Sequence, residues 1–366
     1  MSFKNRRVII VGAGIVGTSL AYHLAHQNAH VTLIDEAPQP GHGVTDKSFA
    51  WIVAAHDAPE IYMNLLQQAI TDWHRIEDEF NGKLKVNWSG ALTWHKQTDD
   101  TERIARKLLN FNYRVRLVDK KEIRLLEPNL KHVPDLAMFA ESEGAIDPGQ
   151  TAELFVKAAR EAGTDIQLGN KVLSFITHRS RVTEVVTVNG NLRADIVVLA
   201  AGAGTTKLCQ PLGLTLPVNA SPAILMHFQN DHQFVNRIVS NPFMEIRAAS
   251  NTLTLAAEDY IDDSVENNPQ VIANRTLKNI KKSWNGTEHI KLINVVVGKR
   301  PMPQDGLPII GRTTHIDNLY LLVMHTGITL AAVVGRLAAA EILSDQDNIL
   351  LSPYRLERFD TITKRN

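Results

Sequence analysis

Three glycines stand in the run Gly12-Ala13-Gly14-Ile15-Val16-Gly17, where a short apolar segment gives way to a helical pattern. An acidic residue, Asp35, closes the next apolar segment, about 20 residues later as the fingerprint requires. This spacing suits a diphosphate. Gly12 permits a tight turn, Gly14 lets bare backbone approach an anion, and Gly17 lets the helix pack closely on the strand. The N-terminus of the helix that the motif opens would turn N–H groups and positive potential toward the phosphates, with Ile15 and Val16 among the candidate contacts. Asp35, or its neighbour Glu36, would hold a ribose hydroxyl. The chemistry is recognition of the ADP half of a dinucleotide, and FAD and NAD share that half.

The elements around the motif read clearly. Val8–Val11 is an apolar β-type run, as in a parallel strand covered on both faces. Thr18 to Gln27 has helical spacing, and His30–Ile34 is a second strand, completing a βαβ unit. Helices are expected over Asp57–Phe80, Ile104–Leu109, Lys120–Leu126, Gln150–Ala162 and Val271–Trp284, with a long one from Ile328. Strands are expected at Ala91–His95, Val115–Val118, Ile166–Leu168, Val172–Ile176, Val182–Val188, Asp195–Leu199, Ile290–Val297 and Leu319–Val323. Between Ser221 and Ala257 the alternation suggests an antiparallel sheet, and Pro301–Pro308 reads as a turn.

Bulk properties narrow the class. A chain of 366 residues predicts two domains, and 44% hydrophobic with 21% charged residues is ordinary for a globular fold. The balance of 39 basic and 39 acidic residues argues against a nucleic-acid binder. One cysteine, Cys209, excludes a disulfide framework or thiolate zinc cage and fits a cytoplasmic location. Lys4, Arg6 and Arg7 before Val8–Val11 could imitate a signal peptide, but the run breaks at once into glycines. Ile328–Leu343 is interrupted by Arg336 and Glu341 and reads as a buried helix, not a membrane span. Metal ligands are not evident, and oligomeric state is not encoded.

An NAD enzyme would normally complete its sheet soon after residue 36. This chain instead leaves for about a hundred residues and returns twice, so the nucleotide domain is assembled from separated segments.

The run Gly298-Lys299-Arg300-Pro301-Met302-Pro303-Gln304-Asp305-Gly306-Leu307-Pro308-Ile309-Ile310-Gly311 resembles a signature of the FAD-dependent D-amino-acid oxidase superfamily, which includes glycine oxidase, sarcosine oxidase and D-amino-acid dehydrogenase. Asn318-Leu319-Tyr320 and His325-Thr326-Gly327-Ile328-Thr329-Leu330-Ala331 resemble a second element of that family. Gly144–Pro148, the Val172 strand and Asp195–Gly204 are similar to its middle segments, and Thr45–Trp51 to its flavin-facing loop.

The resemblance implies an α/β fold, α+β overall. A Rossmann-like FAD-binding domain (1–58, 144–215, 298–366) would interleave with a smaller substrate domain on a largely antiparallel sheet (59–143, 216–297). It implies FAD held without a covalent bond, since Cys209 lies away from the family's attachment point and a lone His56 reads as structural. Contacts are implied from Lys47, Ser48, Val172, Ala201, Gly202, Gly298, Thr326, Gly327, Ile328 and Thr329. Arg300 would pair with a substrate carboxylate, a bracing role at Pro301 being the competing reading. Trp51 would wall the site, and His325 and Lys299 are polar candidates. Where family members carry a tyrosine, this chain has Phe243-Met244-Glu245-Ile246-Arg247, and Arg247 is the candidate replacement. The implied reaction is oxidation of the C–N bond of a small amine or amino acid. Hydride would go to flavin N5, and water would hydrolyse the imine. Oxygen or another oxidant would be the acceptor. The alternatives are an NAD-dependent dehydrogenase and a flavin-binding subunit of a larger amine dehydrogenase.

Overall fold

A computed structural model describes residues 6–259 and 267–360 of the chain, so Lys4 lies outside the described residues. The first sheet has six strands in the spatial order Ile309–Arg312, Leu319–Val323, Ile196–Leu199, Arg7–Val11, His30–Asp35, Asp165–Leu168. All neighbours pair in parallel except the edge strand Ile309–Arg312, which is antiparallel. The unbroken apolar run of the central strand follows from cover on both faces. Val8 and Ile10 join a core with the helices Ile15–Ala25, Glu60–Glu79, Pro148–Glu161 and Gly327–Ser344. Ile9 and Val11 join a core with Val182, Val185 and Val172 of a three-stranded layer on the other side.

The helix Gly327–Ser344 is long and apolar enough to span a bilayer by composition, but it is mostly buried inside the fold. Its two charged residues are matched. Arg336 donates to both oxygens of Asp72, and Glu341 takes Arg355 and the Tyr320 hydroxyl.

The second sheet has eight strands, ordered Lys291–Pro303, Val218–Gln229, Leu253–Asp259, Met244–Ala248, Ile238–Asn241, Ala91–Thr93, Leu136–Ala140, Arg116–Asp119. Its pairs are antiparallel except Ile238–Asn241 with Ala91–Thr93. Ile224, Met226, Ile246 and Ala256 face the helix Pro269–Ser283, whose Ile272, Ala273 and Ile280 complete that core. The opposite face, with Leu225 and Leu255, packs on Phe49 and Ala145.

The expected strand at 290–297 runs on to Pro303, into the first residues of the expected turn, which follows at 304–307. It is an edge strand, so Pro301 and Pro303 can lack a donor on its outer side. The division between domains at 297/298 therefore falls inside one strand. The helix Glu60–Glu79 packs on the last helix, with Trp73 Nε1 donating to the carbonyls of Ile328 and Thr329 at 3.1 and 2.9 Å. Residues assigned to the second domain thus help to build the first.

Candidate active site

A cavity of about 1430 Å³ is lined by residues of both sheets. That exceeds a usual small-ligand pocket of ~300–1,000 Å³ and leaves room for a dinucleotide with a substrate beside it. Gly12, Gly14, Ile15 and Val16 line it, with Asp35, Glu36 and Val172 in one direction. Lys47, Ser48, Trp51, Ala201, Gly202, Gly298, Arg300, His325 and Thr326–Thr329 line it as well.

The turn after the first strand requires glycine. Gly12 has φ +113°, and a Cβ there would lie 2.4 Å from the Ala200 carbonyl oxygen. A Cβ on Gly17 would lie 2.0 Å from the Gly12 carbonyl oxygen, so Gly17 and Ala13 shape the turn from behind the cavity wall. Both belong to the run expected to hold the dinucleotide, and neither lines the cavity. The Ala13 N–H is spent on Asp35 Oδ2 at 2.6 Å, and Asp35 Oδ1 accepts from Ala37 N at 2.8 Å. Burial pushes the Asp35 carboxyl up, against these two bonds. Glu36 is exposed and pairs with Lys171 at 3.0 Å.

Two helix N-termini open on the cavity. Gly14 caps Ile15–Ala25 without a side-chain bond, although the Ile15 N–H reaches Thr45 Oγ1 at 3.2 Å. Thr326 caps Gly327–Ser344, also without a side-chain bond. Each end offers N–H groups and positive potential to an anion. The two ends are close: a Cβ on Gly327 would lie 3.4 Å from Val16 Cγ2. Such a cradle fits a diphosphate at one end and a group that gains negative charge on reduction at the other.

The loop before Trp51 is held tightly. Ala50 is buried with φ +58°, a conformation costing an alanine roughly 1–2 kcal/mol. Ser48 Oγ accepts from Ala50 N at 3.0 Å, and Ala50 O accepts from Ile146 N at 3.2 Å. Arg247 belongs to this support. Its guanidinium donates to the carbonyls of Phe49 (2.8 Å), Ile146 (3.3 Å) and Ala248 (3.3 Å), and it does not line the cavity. The expectation of a substrate contact at Arg247 is corrected: its donors face backbone oxygens of the loop. Lys47 Nζ bonds Gly43 O at 2.7 Å and Asp46 at 3.0 Å, while Gly298 packs against its Cβ.

Glu143, unremarked in the sequence, organises the next residues. Fully buried, it accepts from Ala54 N (2.7 Å), Ala55 N (2.5 Å), Tyr113 Oη (3.1 Å) and Trp51 Nε1 (3.0 Å). Burial pushes its carboxyl up to about 7 against those four donors. Trp51 thus presents a fixed ring edge. Thr329 Oγ1 links the same segment to the last helix, accepting from Val53 N at 3.0 Å and donating to Trp51 O at 3.3 Å.

Arg300 stands on the edge strand of the second sheet. Its Nη2 pairs with Asp259 at 3.0 Å and donates to Ser221 Oγ (3.2 Å) and the Pro222 carbonyl (3.3 Å). Its Nε is buried without a partner among the described residues. His325 is open to the cavity yet surrounded by protein. Desolvation, then the Arg300 charge, pushes its imidazole down to about 4, so it is neutral at pH 7. His56, read from sequence as structural, is half-buried, its enclosed Nδ1 has no partner among the described residues, and it is close enough to His325 to act on its charge. Lys299 is exposed at the cavity rim. Cys209 is buried in the core behind the first sheet and does not line the cavity.

Residues 7–341 match the family model of the FAD dependent oxidoreductases (DAO). The chain belongs to that family. As a DAO-family protein it is an FAD-dependent oxidoreductase, and the nicotinamide alternative is set aside on this finding. An uncharacterised oxidoreductase of Bacillus subtilis is 26% identical over 94% of this chain and 97% of its own. Glycine oxidase of Bacillus licheniformis is 25% identical over 93% of this chain and 94% of its own. Among solved structures, L-proline dehydrogenase of P. horikoshii superposes with a TM-score of 0.88 at 19% identity, covering 98% of each chain. The α/β fold and Rossmann-like nucleotide sheet are those of the DAO family.

Proposed function

We propose that this DAO-family enzyme oxidises the C–N bond of a small amine or amino acid to an imine, which water then hydrolyses. The observation that carries the reading is Arg300, a charged donor set on a rigid strand in the same cavity as the uncapped N-terminus of Gly327–Ser344. A relative that is a glycine oxidase and a structural neighbour that is an L-proline dehydrogenase support it. FAD, when bound, would supply the acceptor for the hydride, which carries both electrons.

The chain's own residues bind and orient. Gly12, Gly14 and the helix start at Ile15 hold the diphosphate, Asp35 or Glu36 the ribose. The N–H groups at Gly327–Thr329, at an uncapped helix start on the cavity, would stabilise the part of the cofactor that gains negative charge. Arg300 anchors a substrate carboxylate, exchanging Asp259 for it. Trp51, fixed by Glu143, walls the site. His325 is neutral and can accept or donate a hydrogen bond without adding charge. An apolar surround from Leu225, Ala257 and Val297 disfavours the substrate ammonium and so favours the neutral amine. We also propose that the FAD is not covalently attached, with Cys209 buried outside the cavity lining, and that the enzyme works in the cytoplasm.

Anaerobic mixing of the yellow holoenzyme with glycine, sarcosine, D-alanine, D-proline and hydroxyproline isomers tests the reading. Bleaching of the flavin band by at least one amine is expected. A flavin that no amine bleaches would favour a flavin-binding subunit.

A further inference from the structure

Side chains alternate between the faces of a strand, and the register shows which ones share the cavity face. Ala223 lies opposite Gly298 on one side and Asp259 on the other, and Arg300 opposite Ser221. Two residues along, Leu225 lies opposite Val296 and Ala257, and Ala257 opposite Glu245. Arg300, Asp259 and Glu245 therefore project from one face, the face that meets Phe49 and the first sheet. Glu258, of opposite parity, turns away and bonds Arg275 and Thr276 of the covering helix.

The charges on this face do not balance. Arg300 is engaged by Asp259 at 3.0 Å. Glu245 lines the cavity half-buried, with no ion pair or side-chain hydrogen bond among the described residues. Burial, then the charge of Asp259, pushes its carboxyl up to about 7, with Arg300 opposing. When a substrate carboxylate takes Arg300, Asp259 is released and two carboxylates face the substrate. The amine being oxidised must be neutral, so it cannot balance them.

We propose that Glu245 is a specificity residue that receives a second, cationic group of the substrate, so that the preferred substrate is an amino acid with a basic side chain. This rests on the amine-oxidation reading above. The spacing agrees. Arg300 and Glu245 stand three strands apart and four residues out of register, about 14 Å across the sheet at ~4.8 Å per strand and about 13 Å along it at ~3.3 Å per residue. Their side chains close part of that distance, and the remaining gap calls for an extended molecule with a charge at each end. Glycine cannot bridge it.

The test compares kcat/KM of the holoenzyme for D- and L-ornithine and lysine with the neutral, chain-matched norvaline and norleucine. The wild type is expected to prefer the basic members of one enantiomeric series by about tenfold or more, as a charged hydrogen bond implies. Glu245→Gln is expected to cut that basic-to-neutral ratio by about tenfold. Wild-type preference for the neutral chains would overturn the inference without help from any variant. So would a Glu245→Gln enzyme in which both series fall equally, which would make Glu245 a support of the common chemistry. If neutral amino acids bleach the flavin and basic ones do not, only this inference falls. If no amine bleaches it, the amine-oxidation reading fails and this inference with it.

Discussion

Arg300→Met is expected to lower kcat/KM for the best amino-acid substrate by roughly 10²–10³-fold, the usual cost of stripping one partner from a desolvated charge pair. FAD should remain bound. Arg300 Nη2 is fixed by Asp259, Ser221 Oγ and the Pro222 carbonyl, so the guanidinium is oriented before any substrate arrives. Pre-orientation lets a planar donor meet a carboxylate without further ordering. Methionine keeps the length and apolar stem but leaves the carboxylate without a counter-charge. Most of the loss should appear in KM if the carboxylate is held equally before and during reaction, and in kcat if Arg300 also sets the approach of the carbon. Flavin absorbance per protein controls for folding. Wild-type kinetics in the variant would leave Arg300 as a brace for the strand ending at Pro303.

Gly12→Ala should yield a colourless protein, with FAD affinity reduced at least about 100-fold. The added Cβ meets the Ala200 carbonyl oxygen at 2.4 Å and the Ala201 Cα at 2.9 Å, both backbone atoms that no rotamer can move. The φ of +113° adds strain for any side chain. To relieve both, the first strand and Ala200–Ala201 must separate, and both border the cavity. Because the FAD is proposed to be held without a covalent bond, a spoiled cradle should release it. Fluorescence titration with FAD reads the affinity, and circular dichroism confirms that the variant is folded. Wild-type occupancy in Gly12→Ala would contradict both the cradle and the non-covalent attachment.

The parts legible in the sequence are those whose physics is local. The dinucleotide turn is written in glycine spacing, because backbone clearance at Gly12 and Gly17 admits no other residue. The buried strands Arg7–Val11, Ile196–Leu199 and Leu319–Val323 are legible as apolar runs. Leu136–Ala140 was not, because Leu-Ala-Met-Phe-Ala lacks both β-branched residues and alternation, and only pairing with two neighbours makes it a strand. The first helix begins at Ile15, inside the glycine motif, where propensity alone would not start one.

Long-range polar contacts were the least legible. Arg247 and Glu143 each have another charged residue two positions before them, and nothing local marks either as a hub. Arg247 spends its donors on carbonyls more than a hundred positions away, and Glu143 gathers donors from residues 51–55 and 113. Neither partner set follows from spacing along the chain. Glu245 is different. Glu245 and Arg247 project from the same face of one strand, and only the three-dimensional surroundings show that Glu245 lines the cavity while Arg247 is spent on the loop backbone.

The account stands on three separated segments meeting around one cofactor, with the substrate end at Arg300. A crystal structure of the holoenzyme with a bound carboxylate ligand tests this directly. The expected result places the flavin ring edge against the N–H groups of Gly327–Thr329, the diphosphate at Gly12–Ile15, and the ligand carboxylate on Arg300. A ring bound away from Gly327, or a carboxylate held elsewhere while Arg300 keeps Asp259, would contradict it.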